Sequence, residues 1–229
     1  MRQSPKCCWH SLLRRPVLAD LNASIAVIEE AIGSYPDLAV TTGLNISGSV
    51  LLDLVSRSNF SGAVLFVDTG YHFPQTLSLW EELQDRYSEM NFVALGADNP
   101  PDTLYSRDPE LCCSLNKVAP LENYLQEHRV SAVLNARTRV SSPGRRDLSV
   151  IEHGTRVRIN PLIEWSYEDL EHYLEDRDVP YHPLYHEGYL SMGCWPCTGP
   201  VKPGQDPRSG RFMGQGRSEC GIWLDVKKA

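Results

Sequence analysis

Apolar positions in the first two thirds of the chain alternate between helical spacing and short runs. Residues 17–33 and 47–58 carry apolar side chains every three or four positions, which predicts two helices. Residues 37–42 and 63–67 are short segments typical of buried strands, and the second is almost continuously apolar. The same patterns predict, in chain order, a helix from Pro74 to about Tyr87, a strand at 92–95, a helix over 109–128, a strand at 132–134 and a helix from Ser166 to about Asp176.

This alternation of helices and strands predicts an α/β fold with a doubly wound, mostly parallel sheet and right-handed crossovers. In such folds a ligand binds beyond the carboxyl ends of the strands, at the point where the strand order reverses. Three loops are therefore expected to form the binding site, namely 43–48, 68–73 and 135–147.

The pattern changes after residue 180, where Gly and Pro are frequent and apolar periodicity is lost. The chain is therefore divided into an N-terminal extension (1–16), an α/β domain (17–179) and a loop-rich C-terminal tail (180–229). We expect the tail to fold over the site and to be held there partly by metal.

The charge of the chain restricts its function. The 229 residues carry a formal net charge of −7, which argues against a nucleic-acid-binding protein but not against a small anionic ligand. No apolar run approaches the length of a membrane span, which argues against a membrane protein. The first nineteen residues are basic and lack acids, and either a targeting peptide or an irregular N-terminus would explain them. Because no secretory pattern is present, we expect a cytoplasmic protein.

The cysteines are the strongest chemical signal. Seven are present, an odd number unlike a disulfide framework, and in an intracellular enzyme this favours metal binding or catalysis. Adjacent Cys112 and Cys113, with the CxxC pair Cys194 and Cys197, provide four soft ligands that suit zinc or an iron–sulfur cluster. His182 and His186 are further candidate ligands, although histidines in such a loop are usually surface residues.

Cys220 stands apart from these four, among the basic residues Lys202, Arg208, Arg211 and Arg217. Nearby positive charge lowers the pKa of a thiol and favours the nucleophilic thiolate. An inert thiol surrounded by solvated charges is the alternative. No spacing suggests a role for Cys7 or Cys8.

Four ordered segments resemble the assimilatory sulfonucleotide reductases, which act on adenylylsulfate (APS) or phosphoadenylylsulfate (PAPS). The resemblance extends from about residue 38 to 224. The segments are Leu65-Phe66-Val67-Asp68-Thr69-Gly70-Tyr71-His72-Phe73-Pro74-Gln75-Thr76, Ile159-Asn160-Pro161-Leu162-Ile163-Glu164-Trp165, the stretch from Val179 through Gly193-Cys194-Trp195-Pro196-Cys197-Thr198, and Glu219-Cys220-Gly221-Ile222.

The resemblance implies an adenine nucleotide alpha hydrolase-like fold of the PP-loop type. It implies that Cys112, Cys113, Cys194 and Cys197 hold a [4Fe-4S] cluster, as in the branch of the family that usually reduces APS. It also implies that Cys220 is the nucleophile, forming an S-sulfocysteine that thioredoxin or glutaredoxin resolves to release sulfite. A homo-oligomer is left open.

Several residues are expected to bind the substrate. Lys117, Arg137, Arg208 and Arg211 resemble substrate-facing residues of the family, and Arg217 offers a further positive charge. Loop 43–49, which includes Gly43 and Ser47, is expected to cradle the nucleotide with its backbone N–H groups. Asp68 is expected to bind the substrate or cap its own loop.

The sequence also departs from the family pattern. Trp223 replaces a histidine, the loop at 41–49 is atypical, and 136–141 replaces a Gly-Arg-Arg segment. Three alternatives stay open. One is PAPS reduction, with Arg145 or Arg146 binding the extra phosphate, and another is a non-catalytic, zinc-stabilised nucleotide-binding protein. The third, an ATP-using PP-loop enzyme acting on tRNA, is disfavoured by the acidic charge and by the absence of Lys and Asp from 43–49.

Overall fold

The computed structural model describes residues 21–96, 103–217 and 219–222. The N-terminal extension at 1–16, with Cys7 and Cys8, and Trp223 lie outside the described residues. Within the described ranges no helix combines the length and apolar character needed to cross a bilayer.

Helices and strands follow one another through the described residues from Leu21 to Ile159. The strands are β1 (Leu38–Thr42), β2 (Ala63–Asp68), β3 (Asn91–Gly96), β4 (Ala132–Asn135), β5 (Ile151–Glu152) and β6 (Val157–Ile159). The helices are α1 (Leu21–Ser34), α2 (Ile46–Ser56), α3 (Pro74–Arg86), α4 (Leu104–Arg107), α5 (Pro109–Cys113), α6 (Ala119–Glu127) and α7 (Tyr167–Asp176), with a π-helix at Ser114–Val118. Short 3-10 turns lie at Arg139–Ser141, Pro143–Arg145, Pro183–Glu187 and Trp195–Cys197.

The sheet is doubly wound, as predicted. Its strand order is β3-β2-β1-β4-β6-β5, and all neighbouring strands are parallel except β5, which runs antiparallel to β6. From β1 the chain moves outward to β2 and β3, and it then returns to place β4 on the other side of β1. The strand order therefore reverses between β1 and β4, which predicts a ligand site at their carboxyl ends.

Alternate residues of the central strands enter two apolar layers. Val40, Val64 and Leu134 pack in one layer with the buried residues of α2 and α7. Ala39, Leu65 and Val133 face the other way and pack against α6. Because helices cover both faces of the parallel strands, these strands are almost continuously apolar in sequence.

The region predicted as one helix over 109–128 is instead divided. Helix α5 leads into the π-helix, and α6 follows it with Pro120 in its first turn. Proline lacks the N–H that would continue the hydrogen-bond ladder, so the preceding turn is free to widen. The wide turn contains Lys117, which is buried.

Helices α1 and α7 were predicted from the sequence, whereas the β5–β6 hairpin was not. The helix expected at 17–33 is described from Leu21. The helix predicted from Ser166 begins with a capping box formed by Ser166 and Asp169. The hairpin of β5 and β6 was not predicted, because strands of two and three residues are too short for a periodic pattern.

Candidate active site

A cleft of about 320 Å³ opens at the carboxyl ends of the central strands, beside the point where the strand order reverses. All three loops expected to form a site contribute to it. Gly43 and Asn45 come from the loop after β1, His72 from the loop after β2, and Arg137 and Arg145 from the loop after β4. Residues of the tail close the other side, and they are Ser191, Met192, Gly193, Arg208, Arg211 and Glu219 to Ile222.

The loop after β1 has a tight, hydrogen-bonded conformation. The Thr42 hydroxyl accepts from the backbone N–H of Leu44 at 3.1 Å, and the Asn45 side chain caps α2 by accepting from Gly48 N at 2.9 Å. A Cβ atom at Gly48 would lie 2.7 Å from Thr42 Oγ1, so this position requires glycine. The chain thus turns sharply from β1 into α2, which leaves Gly43 at the cleft wall.

Ser47 and Asp68 lie beside the cleft but are not among the residues that line it. The Ser47 hydroxyl donates to the Ala136 carbonyl at 2.7 Å, which joins the start of α2 to the loop after β4. The Asp68 carboxylate accepts from Gly70 N at 2.9 Å, and Gly70 has a φ of 71°. Asp68 therefore caps its own loop, which is one of the two roles expected for it.

Five basic side chains line the cleft, and among its described lining residues only Glu219 is acidic. The five are Lys117, Arg137, Arg145, Arg208 and Arg211. Such a concentration of positive charge in a protein of net charge −7 indicates an anionic ligand at this site.

Arg211 is held rigidly by the tail. Its guanidinium donates to the carbonyls of Met192 at 2.6 Å and Cys197 at 3.1 Å. A Cβ atom at Gly193 would lie 2.4 Å from a guanidinium nitrogen, so glycine makes room for this arginine. Burial lowers the pKa of Arg211, and burial with the nearby charge of Arg145 lowers that of Arg208 to about 10.

Arg137 extends from the loop after β4 and is oriented by Asn160 and Glu152, two residues for which no role was predicted. Its Nε donates to the Asn160 side chain at 3.1 Å, and its Nη2 is paired with Glu152 of β5. Burial lowers the pKa of Arg137, while Glu152 acts in the opposite direction. The short hairpin of β5 and β6 therefore positions a cleft arginine.

Cys220 also lines the cleft and is partly buried. Burial alone would raise the pKa of this thiol, but the charge of Lys117, the backbone N–H of Ile222 and the charge of Arg211 bring it below the ordinary value. Burial likewise disfavours the charge of Lys117, yet the nearby sulfurs of Cys194 and Cys220 hold the pKa of Lys117 above its ordinary value. The arrangement favours a nucleophilic thiolate beside a lysine cation.

The four cysteines of the two sequence pairs come together in space. Cys112 and Cys113 end α5, Cys194 and Cys197 flank a 3-10 turn, and all four line one small cavity. They are buried and are not joined by disulfides. Burial raises the pKa values of Cys112 and Cys113 above the ordinary thiol value. In the described ranges no three His, Cys, Asp or Glu side chains form a compact site for one metal ion.

A different polar side chain contacts each of the four sulfurs. The pairs are Thr69 Oγ1 with Cys194 Sγ at 3.1 Å, Asn116 Nδ2 with Cys112 Sγ at 3.6 Å, Arg217 Nη1 with Cys113 Sγ at 3.6 Å, and Gln215 Nε2 with Cys197 Sγ at 3.7 Å. Hydrogen bonds to sulfur are the usual surroundings of ligating thiolates. Four buried thiols with these contacts are a donor set suited to an iron–sulfur cluster.

Three residues considered from the sequence lie elsewhere. Arg217 packs on the ring of Phe212 at 4.5 Å and bonds Cys113, so it faces the cysteine group and not the cleft. His182 is fully buried and bonds Thr76 at 2.9 Å, so its interpretation as a surface residue was wrong. His186 bonds the Tyr181 hydroxyl at 2.8 Å, and neither histidine lines the cavity of the cysteines.

Glu219 is another site residue that was not predicted from the sequence. Its carboxylate accepts from Arg145 at 3.0 and 3.1 Å and from Arg208 at 3.1 Å. The signal was present, because Glu219 directly precedes Cys220 within a segment already singled out. Nothing in the sequence revealed that arginines at 145 and 208 would meet it.

Comparisons with known proteins agree with this geometry. Residues 37–200 match the family described as the phosphoadenosine phosphosulfate reductase domain. An adenosine 5'-phosphosulfate reductase from Deinococcus radiodurans is 48% identical over 209 residues, covering 88% of this chain and 82% of that protein. A protein of the same name from Chelativorans sp. is 37% identical over 213 residues, covering 88% of this chain and 86% of that protein.

A solved structure of a protein with a related name has the same fold. The phosphoadenylyl-sulfate (PAPS) reductase from Candida auris, in its phosphate complex, matches with a TM-score of 0.69 and 29% identity. The match covers 77% of this chain and 90% of that one. Sequence, fold and site therefore agree, and this chain belongs to the phosphoadenosine phosphosulfate reductase family.

Proposed function

We propose that this enzyme reduces APS to sulfite and AMP in assimilatory sulfate reduction, with Cys220 as the nucleophile. One observation carries the proposal. A thiol of lowered pKa lines a cleft with five cations, at the edge of the sheet where this fold binds nucleotides. The names of the Deinococcus and Chelativorans relatives support APS as the substrate.

The nucleotide binds at the carboxyl ends of β1 and β4. Gly43 and Asn45 lie at the cleft wall beside the start of α2, where backbone N–H groups favour anions. The phosphosulfate group then faces Lys117, Arg208 and Arg211, whose charges offset its anionic oxygens. Ser47 contributes by fixing the start of α2 and Asp68 by fixing its loop, since each is bonded to the backbone.

In the first step the Cys220 thiolate attacks the sulfur of the sulfate group. A sulfur–sulfur bond forms, the bond between that sulfur and the bridging oxygen breaks, and AMP leaves with the bonding electron pair. The chain then carries an S-sulfocysteine at position 220. The cations reduce the repulsion between thiolate and phosphosulfate and stabilise the charge that develops on the leaving phosphate.

In the second step a thiolate from a reductant protein attacks Sγ of Cys220. Sulfite leaves with the electron pair of the sulfur–sulfur bond, and a mixed disulfide forms. A second thiol of the reductant resolves it, so that the dithiol becomes a disulfide and Cys220 is regenerated. We propose thioredoxin or glutaredoxin for this role. The chain's own Cys112, Cys113, Cys194 and Cys197 line a separate cavity, where they are proposed to be cluster ligands.

Cys112, Cys113, Cys194 and Cys197 hold a [4Fe-4S] cluster in this proposal. Their burial, their shared cavity and the polar contact to each sulfur support it. Such a cluster supplies a local charge and a covalent link between α5 and the tail. Residues 17–179 accordingly bind the nucleotide, whereas 180–229 provide two cluster ligands, the arginines and the nucleophile.

PAPS is the second candidate substrate, and one observation favours it. Arg145, expected from the sequence to bind an additional phosphate, lines the cleft, whereas Arg146 is exposed and is not among the lining residues. The product with PAPS would be sulfite and adenosine 3',5'-bisphosphate. The names of the Deinococcus and Chelativorans relatives make APS the better-supported substrate.

The test is a metal analysis followed by an activity assay. Protein purified without oxygen is assayed for iron, zinc and acid-labile sulfide, then given APS or PAPS with reduced thioredoxin while sulfite is measured. Iron and sulfide near four per chain, with faster sulfite release from APS, are expected. Zinc without iron would overturn the cluster, and no sulfite from either nucleotide would overturn the activity and favour a zinc-stabilised binding protein.

A further inference from the structure

Glu219 holds the segment of the nucleophile onto the cleft. Its carboxylate bonds Arg145 through both Nε and Nη2, at 3.1 and 3.0 Å, and bonds Nη2 of Arg208 at 3.1 Å. The Arg145 and Arg208 side chains are largely buried, with 17% and 10% exposed, and Glu219 is 30% exposed, so this ion pair is partly shielded from solvent. Since Cys220 is the next residue, the position of Glu219 also restricts the position of the thiol.

The same two arginines are expected to meet the substrate. A guanidinium binds a carboxylate and a phosphate or sulfate oxygen with the same planar pair of N–H donors. Both arginines line the cleft, and Glu219 is the only acid among its described lining residues. The carboxylate of Glu219 therefore takes donors that an anionic ligand in the cleft would use.

We propose that Glu219 is a positioning residue that stands in for the substrate anion, holding the Cys220 segment on Arg145 and Arg208 until the phosphosulfate displaces it. This inference rests on the proposed function, because the phosphosulfate group that displaces Glu219 belongs to the substrate proposed there. Displacement frees the segment, and Cys220 can then move onto the sulfur atom. Arg217, bonded to Cys113, stays as the anchor of the tail during this exchange.

We therefore expect the affinity for an anionic ligand to increase when the partly buried Glu219 side chain loses its charge. For a ligand that must first displace Glu219, the apparent association constant is the intrinsic one multiplied by the fraction of molecules in which Glu219 has already left the arginines. Glu219→Gln removes that competitor but keeps the size of the side chain. A residue with only a structural role would give the opposite result, because its loss would disorder the cleft and weaken binding.

The experiment uses the anaerobically purified holoenzyme and AMP as the probe, so it needs no turnover. The dissociation constant of AMP is measured by calorimetry for the wild type, Glu219→Gln and Glu219→Asp. The control is Glu164→Gln, because Glu164 pairs with Arg139, is 65% exposed and does not line the cleft. Carboxamidomethylation of Cys220 by iodoacetamide, followed by mass spectrometry of its peptide, reports how firmly the segment is held.

Glu219→Gln is expected to bind AMP about fivefold to tenfold more tightly than the wild type and to react severalfold faster at Cys220. Glu164→Gln should match the wild type in both assays, and Glu219→Asp should lie between. Unchanged or weaker AMP binding by Glu219→Gln, with iron content preserved, overturns the proposal. If Glu219→Gln does not fold, a Glu219→Asp variant that binds AMP with the wild-type affinity also overturns the proposed role of Glu219. Neither result depends on sulfite formation, so the proposed function is tested separately.

Discussion

Nη1 of Arg217 lies 3.6 Å from the sulfur of Cys113, so a residue close in sequence to Cys220 contacts the cysteine group directly. The same guanidinium donates to the Pro109 carbonyl at 3.1 Å and packs on Phe212. The start of α5 and the tail are therefore joined at this point. The contact explains how the cysteine group, which takes part in no bond exchange of the proposed reaction, can still determine where Cys220 lies.

Replacing Arg217 with Gln is expected to slow sulfite formation by about tenfold, because a charged hydrogen bond contributes roughly 1.5–3 kcal/mol. The iron content should change little, since the four cysteines are intact. The measurement is turnover per iron under saturating substrate. Arg177→Gln, an exposed arginine paired with its neighbour Asp176, is the matched control. Wild-type turnover in the Arg217 variant would show that this anchor has no role.

Glu152 orients Arg137, so its replacement by Gln should affect substrate binding more than chemistry. We expect KM for APS to rise about tenfold with a smaller change in kcat, because the guanidinium loses the carboxylate that fixes it. Glu122→Gln is the control, since Glu122 makes an ion pair with Arg156 and does not line the cleft. Equal KM values in the two variants would contradict a specific role for Glu152.

The parts of the fold that were predicted are those in which local pattern and tertiary environment agree. Strands such as β2 and β4 are covered by helices on both faces, so their apolar runs were visible in sequence. The reversal of strand order followed from the order of elements, and all three loops expected at the site do line the cleft.

The features that escaped prediction depend on distant residues or on very short elements. Strand β5 has two residues and therefore no period, although it carries the partner of Arg137. Arg145 and Glu219 are 74 positions apart, and their contact exists only once the tail folds back. His182 was interpreted as a surface residue because its neighbourhood lacks periodicity, yet it is fully buried.

His182 should make stability depend on pH. Burial and the nearby charge of His72 lower its pKa from 6.5 to about 4, so between these values the unfolded chain binds more protons than the folded one. The stabilisation of the folded state that depends on neutral His182 is fully present above pH 6.5 and is lost as the pH falls toward 4. The total loss in the free energy of unfolding is roughly 3 kcal/mol. Urea unfolding at pH 7 and pH 5 should show a smaller loss in His182→Asn than in the wild type. His186→Asn is the control, and an identical loss in all three proteins would exclude His182 as the cause.

Asp53 is the buried acid that joins three helical regions. Its carboxylate accepts from the hydroxyls of Tyr87 at 2.9 Å and Tyr173 at 2.6 Å and pairs with Arg57. Burial opposes its charge, but these donors bring its pKa below the ordinary value. Asp53→Asn should lower the free energy of unfolding by about 3 kcal/mol, measured by urea denaturation. The exposed Asp85→Asn is the control, and equal stability of both variants would contradict this role.

The most direct test of the mechanism is to look for the sulfonate on Cys220. The reductant-free holoenzyme is mixed with APS, AMP release is quantified, and the peptides are examined by mass spectrometry. We expect one AMP per chain and one added sulfonate on the peptide of Cys220. Cys220→Ser should bind AMP and keep its iron, yet form neither adduct nor sulfite. A sulfonate on another residue, or sulfite from Cys220→Ser at the wild-type rate, would show that Cys220 is not the nucleophile.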